Sequence, residues 1–567
     1  MDQLVLDKIK KWQEYHALDQ KLKEELLSLD EDKLNDAFYT DLAFGTGGLR
    51  GVLGVGTNRM NIYTVQKATY GFYQYLEEKY GESLKEKGMV ISYDCRNYSY
   101  EFACASAAVF GAAGVKVYLF SSLRPTPELS FAVRELKCAG GIMITASHNP
   151  PEYNGYKVYD EDGCQLIPEL ADVVIDKISK INDLFNIPVG NFEELKAQNL
   201  IKMIDKEIDD KYLEMVKTVP VQQVKKDNIK IVFTPLHGTA SVHLADLLKE
   251  EGYNVVEVKE QMIPDPFFST VKSPNPEEST AFEYAINLGK EVNADILIAT
   301  DPDADRMGIA AKDDNGEYVL LTGNQTGAIL LNYLAKYKAH GPKVNVYNTI
   351  VTSNIAKAIC EKYGLKLVQT LTGFKFIGEQ AKKIENTDEE FFFGYEESYG
   401  YVIKDFVRDK DSLQATLLLA EVASFYKEQD KTLVQVLNDI YEEFGYYQEG
   451  VLNIYLRGQE GSARINRIMR HFQNIELNSI VNRNIARVED YDLGIYKENG
   501  QVGKLTLPNS LVVKYIFDDG GWFVLRPSGT EPKLKVYISI VCKTEAESKA
   551  LVESLKDAVS KIIDEVE

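Results

Sequence analysis

The chain has 567 residues, of which 45% are hydrophobic, 11% aromatic and 26% charged, a composition typical of globular proteins. A chain of this length is expected to form about three to five domains, which excludes a single small module. Because 86 Asp and Glu outnumber 64 Lys and Arg, the formal net charge is −22. Nucleic acids and anionic membranes bind basic surfaces, so this acidity predicts neither as a partner. Any anionic ligand must therefore meet a local cluster of cations.

The first residues, MDQLVLDKIKKWQEY, mix charged and apolar side chains from the second position. They lack the apolar core of a secretory signal, and no later run of about 18 apolar residues predicts a membrane span. The six cysteines are scattered and form neither a CxxC pair nor a His/Cys cluster at zinc spacing. Together these features predict a cytoplasmic protein with reduced thiols.

Short apolar segments rich in β-branched residues alternate with longer amphipathic segments over the first 450 residues. The short segments predict buried strands at 89–93, 115–120, 142–145, 229–233, 254–258, 296–300 and 343–347. The amphipathic segments predict helices at 101–113, 241–251, 278–288 and 328–337. This alternation indicates α/β domains with mostly parallel sheets.

The pattern changes towards the carboxyl terminus. There, strands are predicted at 522–525 and 533–541 and a helix from Glu545 to about Ile563, which indicates a smaller α+β domain. Polar connections separate predicted domains of residues 1–207, 208–318, 319–450 and 451–567. The recurring order of strand, loop and helix indicates structural repetition, without a sequence repeat of fixed period.

The segment GGIMITASHNPPEYNGYK, residues 140–157, places Ser147 just after a predicted buried strand. The carboxyl end of a parallel strand is where open α/β sheets bind ligands. A lipase-type nucleophile is disfavoured because the pattern is not GxSxG and His148, adjacent in sequence, is poorly placed as the base of Ser147. The alternative is that these residues only form a turn.

The segment ADILIATDPDADRMGIA, residues 294–310, carries Asp301, Asp303 and Asp305 after another predicted strand. Carboxylates at this spacing can converge on one cation, and oxygen ligands suit Mg²⁺. An EF-hand is disfavoured because Arg306 and Lys312 occupy the positions of its glycine and its last glutamate. The alternative is a solvated acidic loop.

The segment WFVLRPSGTEPKLKVY, residues 522–537, predicts a phosphate-binding turn. Arg526 can grip a phosphate with two N–H groups, and Ser528, Gly529 and Thr530 supply hydroxyl and backbone donors. A purely structural turn built from Pro, Ser and Gly is the alternative.

The segment FFGYEESYGY, residues 392–401, carries Glu396 and Ser398 on a loop bounded by glycines. Such acceptors and hydroxyls suit the hydroxyl groups of a sugar ring.

The segment FGTGGLRG, residues 44–51, is not a dinucleotide fingerprint, because Arg50 replaces the last glycine and no clear strand precedes it. We expect a flexible turn that presents Arg50 to an anion, with a structural turn as the alternative. His237 is expected to be a satisfied loop histidine rather than a catalyst.

These elements together suit phosphoryl transfer between Ser147 and a phosphorylated ligand. A phosphoserine brings roughly −1.5 to −2 charges, which a metal ion and neighbouring cations can neutralise. Lys157 is the candidate for handling the proton of the attacking hydroxyl, provided that cations such as Arg50 depress its pKa.

The motifs TASHNP, DPDADR, GxEES and RPSGTEP, in this order and at these spacings, resemble the α-D-phosphohexomutase family over essentially the whole chain. The segments YNTIVTSNI, LTGFKFIG and GYEESYGY are most similar to its phosphoglucomutase branch, which also includes phosphopentomutase-like members. The resemblance implies three similar α/β domains with mixed, mostly parallel sheets and a smaller C-terminal α+β domain around a central cleft.

The resemblance also implies roles for individual residues. Ser147 would be phosphorylated and would hold Mg²⁺ together with the three aspartates. Lys157, Arg50 and His148 would complete the catalytic set, and Arg306 follows the metal loop as in the family. The sugar would be bound by Thr372, Gly373, Lys375, Glu396 and Ser398, and the phosphate that is not transferred by Arg526, Ser528, Gly529 and Thr530.

The implied activity is interconversion of glucose 1-phosphate and glucose 6-phosphate through glucose 1,6-bisphosphate, by a monomer or homodimer. Mannose or pentose phosphates handled by the same mechanism remain alternatives, as does synthesis of a hexose bisphosphate. A phosphatase with Asp301 as nucleophile is less favoured, because position 305 lacks the usual hydroxyl group. A sugar-phosphate-binding protein without catalysis is the remaining alternative.

Overall fold

The structure of the protein, a computed structural model, describes residues 2–45, 47–456, 458–528 and 533–566. The side chains of residues 458 and 459 also lie outside that description. The chain forms two compact units. The first unit consists of Met1–Ala311, Gly378–Glu385 and Gly400–Glu428, and the second of Lys312–Ile377, Asn386–Tyr399 and Gln429–Glu567. Among the described residues, no helix is both long and apolar enough to cross a bilayer.

Three helices that the sequence patterns did not predict precede the first sheet. An aspartate caps each helix by accepting backbone N–H groups of its first turn, which explains why the helices begin where they do. Trp12 is buried against Phe38 and Phe185, with ring centroids 5.6 and 5.2 Å away. The three helices are Gln3–Glu14, Gln20–Ser28 and Glu31–Phe38.

The first sheet places the Ser147 loop at the end of a central strand. Its order is Gly48–Val52, Tyr153–Tyr159, Gly140–Ile144, Met89–Tyr93, Val117–Phe120 and Ile201–Ile204. The last four strands are parallel, and the first two are antiparallel to their neighbours. Its helices are Ile62–Tyr80, Ser83–Lys87, Ser99–Ala112, Thr126–Glu135, Pro168–Ser179, Phe192–Ala197 and Lys206–Val216.

The second sheet places the Asp301 loop in the same way. Within the first unit its strands follow the order Met307–Lys312, Ile296–Thr300, Lys230–Thr234 and Asn254–Glu257, the first being antiparallel to the second. The neighbouring helices of the first unit are Leu244–Glu250, Glu283–Val292 and Ser412–Lys427, and Gly400–Val402 is a short strand.

The third sheet repeats this arrangement in the second unit. Three of its strands follow the order Glu390–Glu396, Val344–Thr349 and Lys366–Thr370, all parallel. In all three sheets, the third parallel strand in chain order lies beside the first, and its carboxyl end leads into a predicted site loop. The structural repetition expected from the sequence is therefore confirmed. The remaining elements of this part of the second unit are strand Tyr318–Leu321, helices Gly323–Tyr337, Ile355–Tyr363 and Leu433–Phe444, and the first turn of helix Phe374–Ile384.

The C-terminal region is built on an antiparallel sheet with two helices, which confirms the predicted α+β organisation. Helices Gly458–Asn474 and Glu545–Asp564 pack against it around a core that includes Ile468, Phe523 and Leu555. Its strands are Tyr446–Tyr455, Ser479–Ile480, Arg483–Asp490, Ile495–Glu498, Gln501–Lys504, Val513–Phe517, Trp522–Pro527 and Lys533–Cys542.

The predicted elements agree with the observed ones apart from their ends. The helices expected at 241–251 and 278–288 begin later, because 3₁₀ turns at Thr239–Ser241 and Ser279–Phe282 replace the first part of each pattern. The α/β class with a C-terminal α+β region is confirmed, whereas the residue numbers of the domain boundaries stay predictions.

Candidate active site

Ser147 follows the fully buried strand Gly140–Ile144 and is itself 3% exposed. Its backbone is left-handed, with φ 51°, and its N–H donates to Thr145 Oγ1 at 2.8 Å. A non-glycine residue held in this region of φ/ψ space costs free energy, and such residues concentrate at functional sites. The Oγ atom donates to Asp301 Oδ2 at 2.6 Å, so the structure brings together two motifs 154 residues apart.

His148 lies closer to Ser147 Oγ than expected. Its Nδ1 atom is 3.2 Å from that oxygen, next to a left-handed backbone at Ser147. The expectation that a neighbour in sequence is poorly placed for this contact was wrong. Loss of hydration lowers the pKa of His148 well below its ordinary value, and the nearby Arg306 and Arg50 lower it further. The imidazole is therefore neutral at physiological pH.

Arg96 holds the Ser147 loop in place. Its buried guanidinium donates to the carbonyl oxygens of Ser147 at 2.6 Å, Pro150 at 2.8 Å and Tyr153 at 3.0 Å. Five fixed N–H donors on a planar group suit arginine to this task. The sequence motif gave no sign of this role, because Arg96 lies some 50 residues before the loop.

Asp301, Asp303 and Asp305 form a buried cluster, with ligand atoms within 4.8 Å of one another. They are 0%, 0% and 2% exposed, which rules out the solvated acidic loop. Burial and the two neighbouring carboxylates raise the pKa of Asp301 well above its ordinary value.

Two lysines counter the charge of this cluster. Lys157 Nζ lies 2.8 Å from Asp303 Oδ2 and 3.4 Å from Asp305 Oδ2, and Lys410 Nζ lies 3.1 Å from Asp305 Oδ2. Burial alone would raise the pKa of Asp303 and of Asp305, but these lysines hold both below their ordinary value. Lys410 follows no motif that the sequence analysis singled out, and only the fold brings it to the cluster.

The pKa of Lys157 differs from the expectation. Burial alone would lower it, but Asp303 and Asp305 outweigh burial and raise the pKa above its ordinary value. The expected depression by Arg50 was therefore wrong, because Asp303 and Asp305 lie within 3.4 Å of the ammonium group and raise its pKa. Lys157 carries its proton at neutral pH.

The aspartate cluster has unsatisfied oxygen atoms that fit a cation. Asp303 Oδ1 and Asp305 Oδ1 are buried and have no hydrogen-bond partner among the described residues. Leaving such atoms unpaired is costly, and a hard divalent ion is the partner that three carboxylates suit best. The residues present therefore fit a Mg²⁺ site.

Thr126 supports this cluster from the first turn of helix Thr126–Glu135. Its Oγ1 donates to Asp303 Oδ2 at 3.0 Å, and its N–H donates to the Asp303 carbonyl at 2.9 Å. These contacts fix the orientation of one candidate ligand. Thr126 could not be predicted from the sequence, because no local pattern links it to a loop 177 residues later.

Arg50 is placed by a strand rather than by a flexible turn, so that expectation was wrong. It lies in strand Gly48–Val52, opposite Gly155 of the antiparallel neighbour, because the two strands pair along their length. The guanidinium is exposed and donates to Asn149 Oδ1 at 3.1 Å. Arg50 is therefore directed towards the Ser147 loop.

Arg306 and His237 are both held by protein groups. The guanidinium of Arg306 pairs with Glu277 at 2.5 Å, and the backbone N–H of Arg306 donates to Asp301 Oδ1 at 3.0 Å.

The ring of His237 contacts Ile263 O at 2.8 Å and Thr270 Oγ1 at 2.7 Å, so the prediction of a satisfied loop histidine is confirmed.

In the second unit, Glu396 ends its parallel strand and is 4% exposed. Its Oε1 accepts the N–H of Gly373 at 2.8 Å, which links the predicted sugar-binding loop to the segment before helix Phe374–Ile384. Gly373 has φ 121°, a conformation that favours glycine. The neighbouring Thr372 Oγ1 is buried and has no hydrogen-bond partner among the described residues.

Lys375 and Ser398 lie close in sequence to these groups. Lys375 is in the first turn of helix Phe374–Ile384, and Ser398 is half-buried in the turn after Glu396. Glu397 lies between Glu396 and Ser398 in the sequence. Its Oε2 atom accepts hydrogen bonds from the hydroxyls of Thr349 and Thr352, each at 3.2 Å. Burial raises the pKa of Glu397 despite these bonds.

The predicted phosphate-binding turn is described only in part. Arg526 is half-buried on strand Trp522–Pro527, and Ser528 N–H donates to Lys533 O at 2.8 Å. Gly529 and Thr530 lie outside the described residues.

The sequence matches one family along most of its length. The matches are to Phosphoglucomutase/phosphomannomutase, alpha/beta/alpha domain I at residues 41–184, domain II at residues 210–316 and domain III at residues 322–444, and to the C-terminal domain at residues 476–562.

Curated relatives and solved structures agree with that match. A phosphoglucomutase of Staphylococcus epidermidis is 38% identical over 514 residues, which are 90% of this chain and 93% of the relative. One of Staphylococcus aureus is 38% identical over 512 residues, 89% of this chain and 91% of the relative.

Two solved structures share the fold at lower identity. One is a putative phosphomannomutase of Thermus thermophilus, with TM-score 0.67, 23% identity and coverage of 92% of this chain and 99% of the other. The other is parafusin (phosphoglucomutase) of Paramecium, with TM-score 0.67, 19% identity and coverage of 93% and 96%.

Proposed function

The chain belongs to the phosphoglucomutase/phosphomannomutase family, and on that basis we propose that it interconverts glucose 1-phosphate and glucose 6-phosphate through a phosphorylated Ser147. The observation that carries the proposal is the contact between Ser147 Oγ and Asp301 Oδ2, 2.6 Å, at a buried cluster of three aspartates. A serine in that position has a cation site beside it. Phosphoryl transfer needs a positioned hydroxyl group and a cation, because its barrier falls mainly through positioning and charge neutralisation.

In the proposed reaction, the phosphoryl group leaves Ser147 Oγ for the 6-hydroxyl of glucose 1-phosphate. The bisphosphate formed then turns over, and its 1-phosphate returns to Ser147 Oγ, so that glucose 6-phosphate leaves. Mg²⁺ held by Asp301, Asp303, Asp305 and a phosphoserine oxygen would neutralise negative charge on the transferred group.

The other residues of the first unit take roles that follow from their charge and position. Lys157, protonated because of Asp303 and Asp305, can act as a general acid that gives its Nζ proton to the oxygen from which the phosphoryl group departs. Only after it has given up that proton can Nζ take the proton of the attacking sugar hydroxyl. Arg50 and the backbone of the loop bind the phosphate, and neutral His148 accepts or donates a hydrogen bond at Ser147 Oγ. Arg96 fixes the loop so that Oγ stays in line with the substrate.

In the second unit, Glu396 and Ser398 bind sugar hydroxyls, and Thr372, Gly373 and Lys375 contribute to sugar recognition. Arg526, Ser528, Gly529 and Thr530 hold the phosphate that is not transferred. The buried Glu396 and the unsatisfied Thr372 hydroxyl support a polar ligand at the described part of this region.

The test compares turnover of glucose 1-phosphate, mannose 1-phosphate and ribose 1-phosphate, with Mg²⁺ and the matching bisphosphate present. We expect glucose 1-phosphate to give the highest kcat/KM. Ser147→Ala should lose at least about 10³-fold, because the nucleophile is gone. Ser179→Ala, an exposed serine of the same region, is the matched control and should retain activity.

Mass spectrometry of the active protein should find phosphate on the peptide that contains Ser147. An unmodified Ser147 together with full activity of Ser147→Ala would refute the proposal. Net release of inorganic phosphate that is lost in Asp301→Asn but kept in Ser147→Ala would instead favour the phosphatase. Faster turnover of mannose or ribose 1-phosphate would assign the same mechanism to a different sugar.

A further inference from the structure

A second buried cluster of metal-ligating side chains lies in the first unit, outside the site described above. Glu128, Asp209 and His243 each offer one ligand atom, and these atoms lie within 4.8 Å of one another. Glu128 lies on helix Thr126–Glu135 and Asp209 on helix Lys206–Val216, whereas His243 directly precedes helix Leu244–Glu250. We propose that the three side chains form a second divalent-cation site, selective for zinc and similar first-row transition metals.

The first support is that the cluster leaves buried polar atoms unsatisfied. Glu128 is 0% exposed, and neither of its carboxylate oxygens has a hydrogen-bond partner among the described residues. His243 is 9% exposed, and its Nε2 atom also lacks one. Native proteins satisfy buried polar groups, and Glu128 and His243 face each other at 3.3 Å without a hydrogen bond between them, which points to a missing partner.

The second support is the spacing of the ligand atoms. His243 Nε2 lies 3.3 Å from Glu128 Oε2 and 3.7 Å from Asp209 Oδ1. Bonds from Zn²⁺ to nitrogen or oxygen are about 2.0 to 2.2 Å, which separates tetrahedral ligand atoms by roughly 3.3 to 3.6 Å. Both separations from His243 are therefore close to those between ligand atoms of a tetrahedral site before any ion is bound.

The donor set distinguishes this cluster from the aspartates of the candidate active site. Three carboxylates, as in Asp301, Asp303 and Asp305, suit hard cations such as Mg²⁺. An imidazole nitrogen combined with two carboxylates suits Zn²⁺ and other first-row transition metals instead. The two sites would therefore take different ions from the same solution.

The charges around the cluster are compatible with a divalent cation. Asp209 and Asp205 contribute negative charges beside the guanidinium of Arg124, and a divalent cation would favour the ionised form of the buried Glu128 as well. Arg124 also binds Asp209 through two N–H groups, at 2.9 Å to Oδ1 and 3.0 Å to Oδ2. Such an outer contact fixes the orientation of a ligating carboxylate, as in known metal sites.

An ion at this position would join three segments of the first unit. Glu128 and Thr126 share the first turn of one helix, and Thr126 donates to Asp303 of the active-site cluster. The site would therefore stabilise the helix that supports Asp303, without contacting a reacting atom. It would act on stability and on the position of Asp303.

The experiment uses the full-length protein stripped of metal and then saturated with Mg²⁺. Zn²⁺ content is measured after gel filtration, and Co²⁺ is used as a spectroscopic probe of tetrahedral nitrogen and oxygen ligation. All measurements are made both in the wild type and in Asp303→Asn, which disables the active-site cluster. We expect about one Zn²⁺ or Co²⁺ per chain in both proteins, with tetrahedral visible absorption. Zn²⁺ should also raise the unfolding midpoint by about 3 °C or more.

His243→Gln and Glu128→Gln should each lose the ion, the absorption and the rise in midpoint. His471→Gln, which removes an exposed histidine, is the control and should keep all three. The proposal is overturned if the wild type binds no Zn²⁺ or Co²⁺. It is likewise overturned if Asp303→Asn binds none, because the ion in the wild type would then belong to the aspartate cluster. It is also overturned if the ion remains in both cluster variants, and the wild-type measurement decides the matter even if a variant fails to fold.

Discussion

The first unit contains two buried acidic clusters that differ in how they are assembled and balanced. Asp301, Asp303 and Asp305 follow a single strand at alternate positions, and two lysines compensate them. Glu128, Asp209 and His243 come from three distant segments, beside Arg124. Burial raises the pKa of Glu128 to about 7, whereas Lys157 holds the pKa of Asp303 below its ordinary value. Burial therefore does not fix the charge of a carboxylate, since the nearest cation decides it.

The sharpest test of this contrast removes one carboxylate from each cluster. Asp303→Asn should lower kcat/KM for glucose 1-phosphate by about 10³-fold at saturating Mg²⁺, because a metal ligand contributes several kcal/mol to phosphoryl transfer. Glu128→Gln makes the same chemical change in the other cluster and should cost far less, at most about fivefold. Equal losses in the two variants would contradict the assignment of the reaction to the aspartate cluster.

The next effect concerns the lysine that balances the aspartates. Lys157→Met should lower kcat by about 10²-fold or more, because general acid and base groups contribute roughly 10²- to 10⁴-fold. Lys157→Arg keeps the positive charge but exchanges its proton far less readily, so it should recover folding and only part of the activity. If Lys157→Met stays within about tenfold of wild type, the lysine serves charge balance alone.

A smaller effect is expected at Thr126, which links the helix of Glu128 to Asp303. Thr126→Val removes the bond from Oγ1 to Asp303 Oδ2 but keeps the size of the side chain. Hydrogen bonds to charged groups contribute about 1.5 to 3 kcal/mol, so we expect roughly a tenfold loss and a higher Mg²⁺ requirement. Thr126→Ser keeps the hydroxyl and should retain both the activity and the Mg²⁺ dependence, which separates positioning from packing.

The smallest effect concerns Asp411, a buried carboxylate whose donors are uncharged groups. The hydroxyl of Tyr212 and the N–H of Leu413 each donate to it at 2.9 Å, and burial raises its pKa to about 6. The folded state then binds more protons than the unfolded state between about pH 4 and pH 6. The stability from Asp411 is therefore present below about pH 4 and is lost as the pH rises through 6.

Asp411→Asn does not titrate and serves as the reference. The free energy of unfolding of the wild type, relative to this variant, should fall by on the order of 2 kcal/mol between about pH 4 and pH 7. Chemical denaturation of both proteins across that range measures the difference. A difference that is constant with pH would mean that Asp411 is ionised throughout, like Asp303.

The sequence alone located the parts of the candidate site whose residues are neighbours in the chain. Ser147 after its strand, and three aspartates at alternate positions after another, form local patterns. The strands and helices that it predicted agree with the observed ones to within a few residues. The three N-terminal helices were not predicted, because they are only 8 to 12 residues long and carry few buried apolar positions each.

Other parts of the site carry no local signal. Arg96, Thr126 and Lys410 lie far from the motifs that they support, and nothing around them in sequence distinguishes them from other polar residues. The strand conformation of Arg50 depends on pairing with residues 153–157. Contacts of this kind depend on which strands become neighbours in a sheet, and that order is a property of the whole domain.

By itself, then, the sequence determined the kind of fold and the chemical groups available, because hydrophobic periodicity and motif spacing are local properties of the chain. Only the tertiary structure decided the charge state of those groups and the assembly of Glu128, Asp209 and His243. Both depend on burial and on distances between segments far apart in the chain, and these distances exist only once the strands and helices have packed.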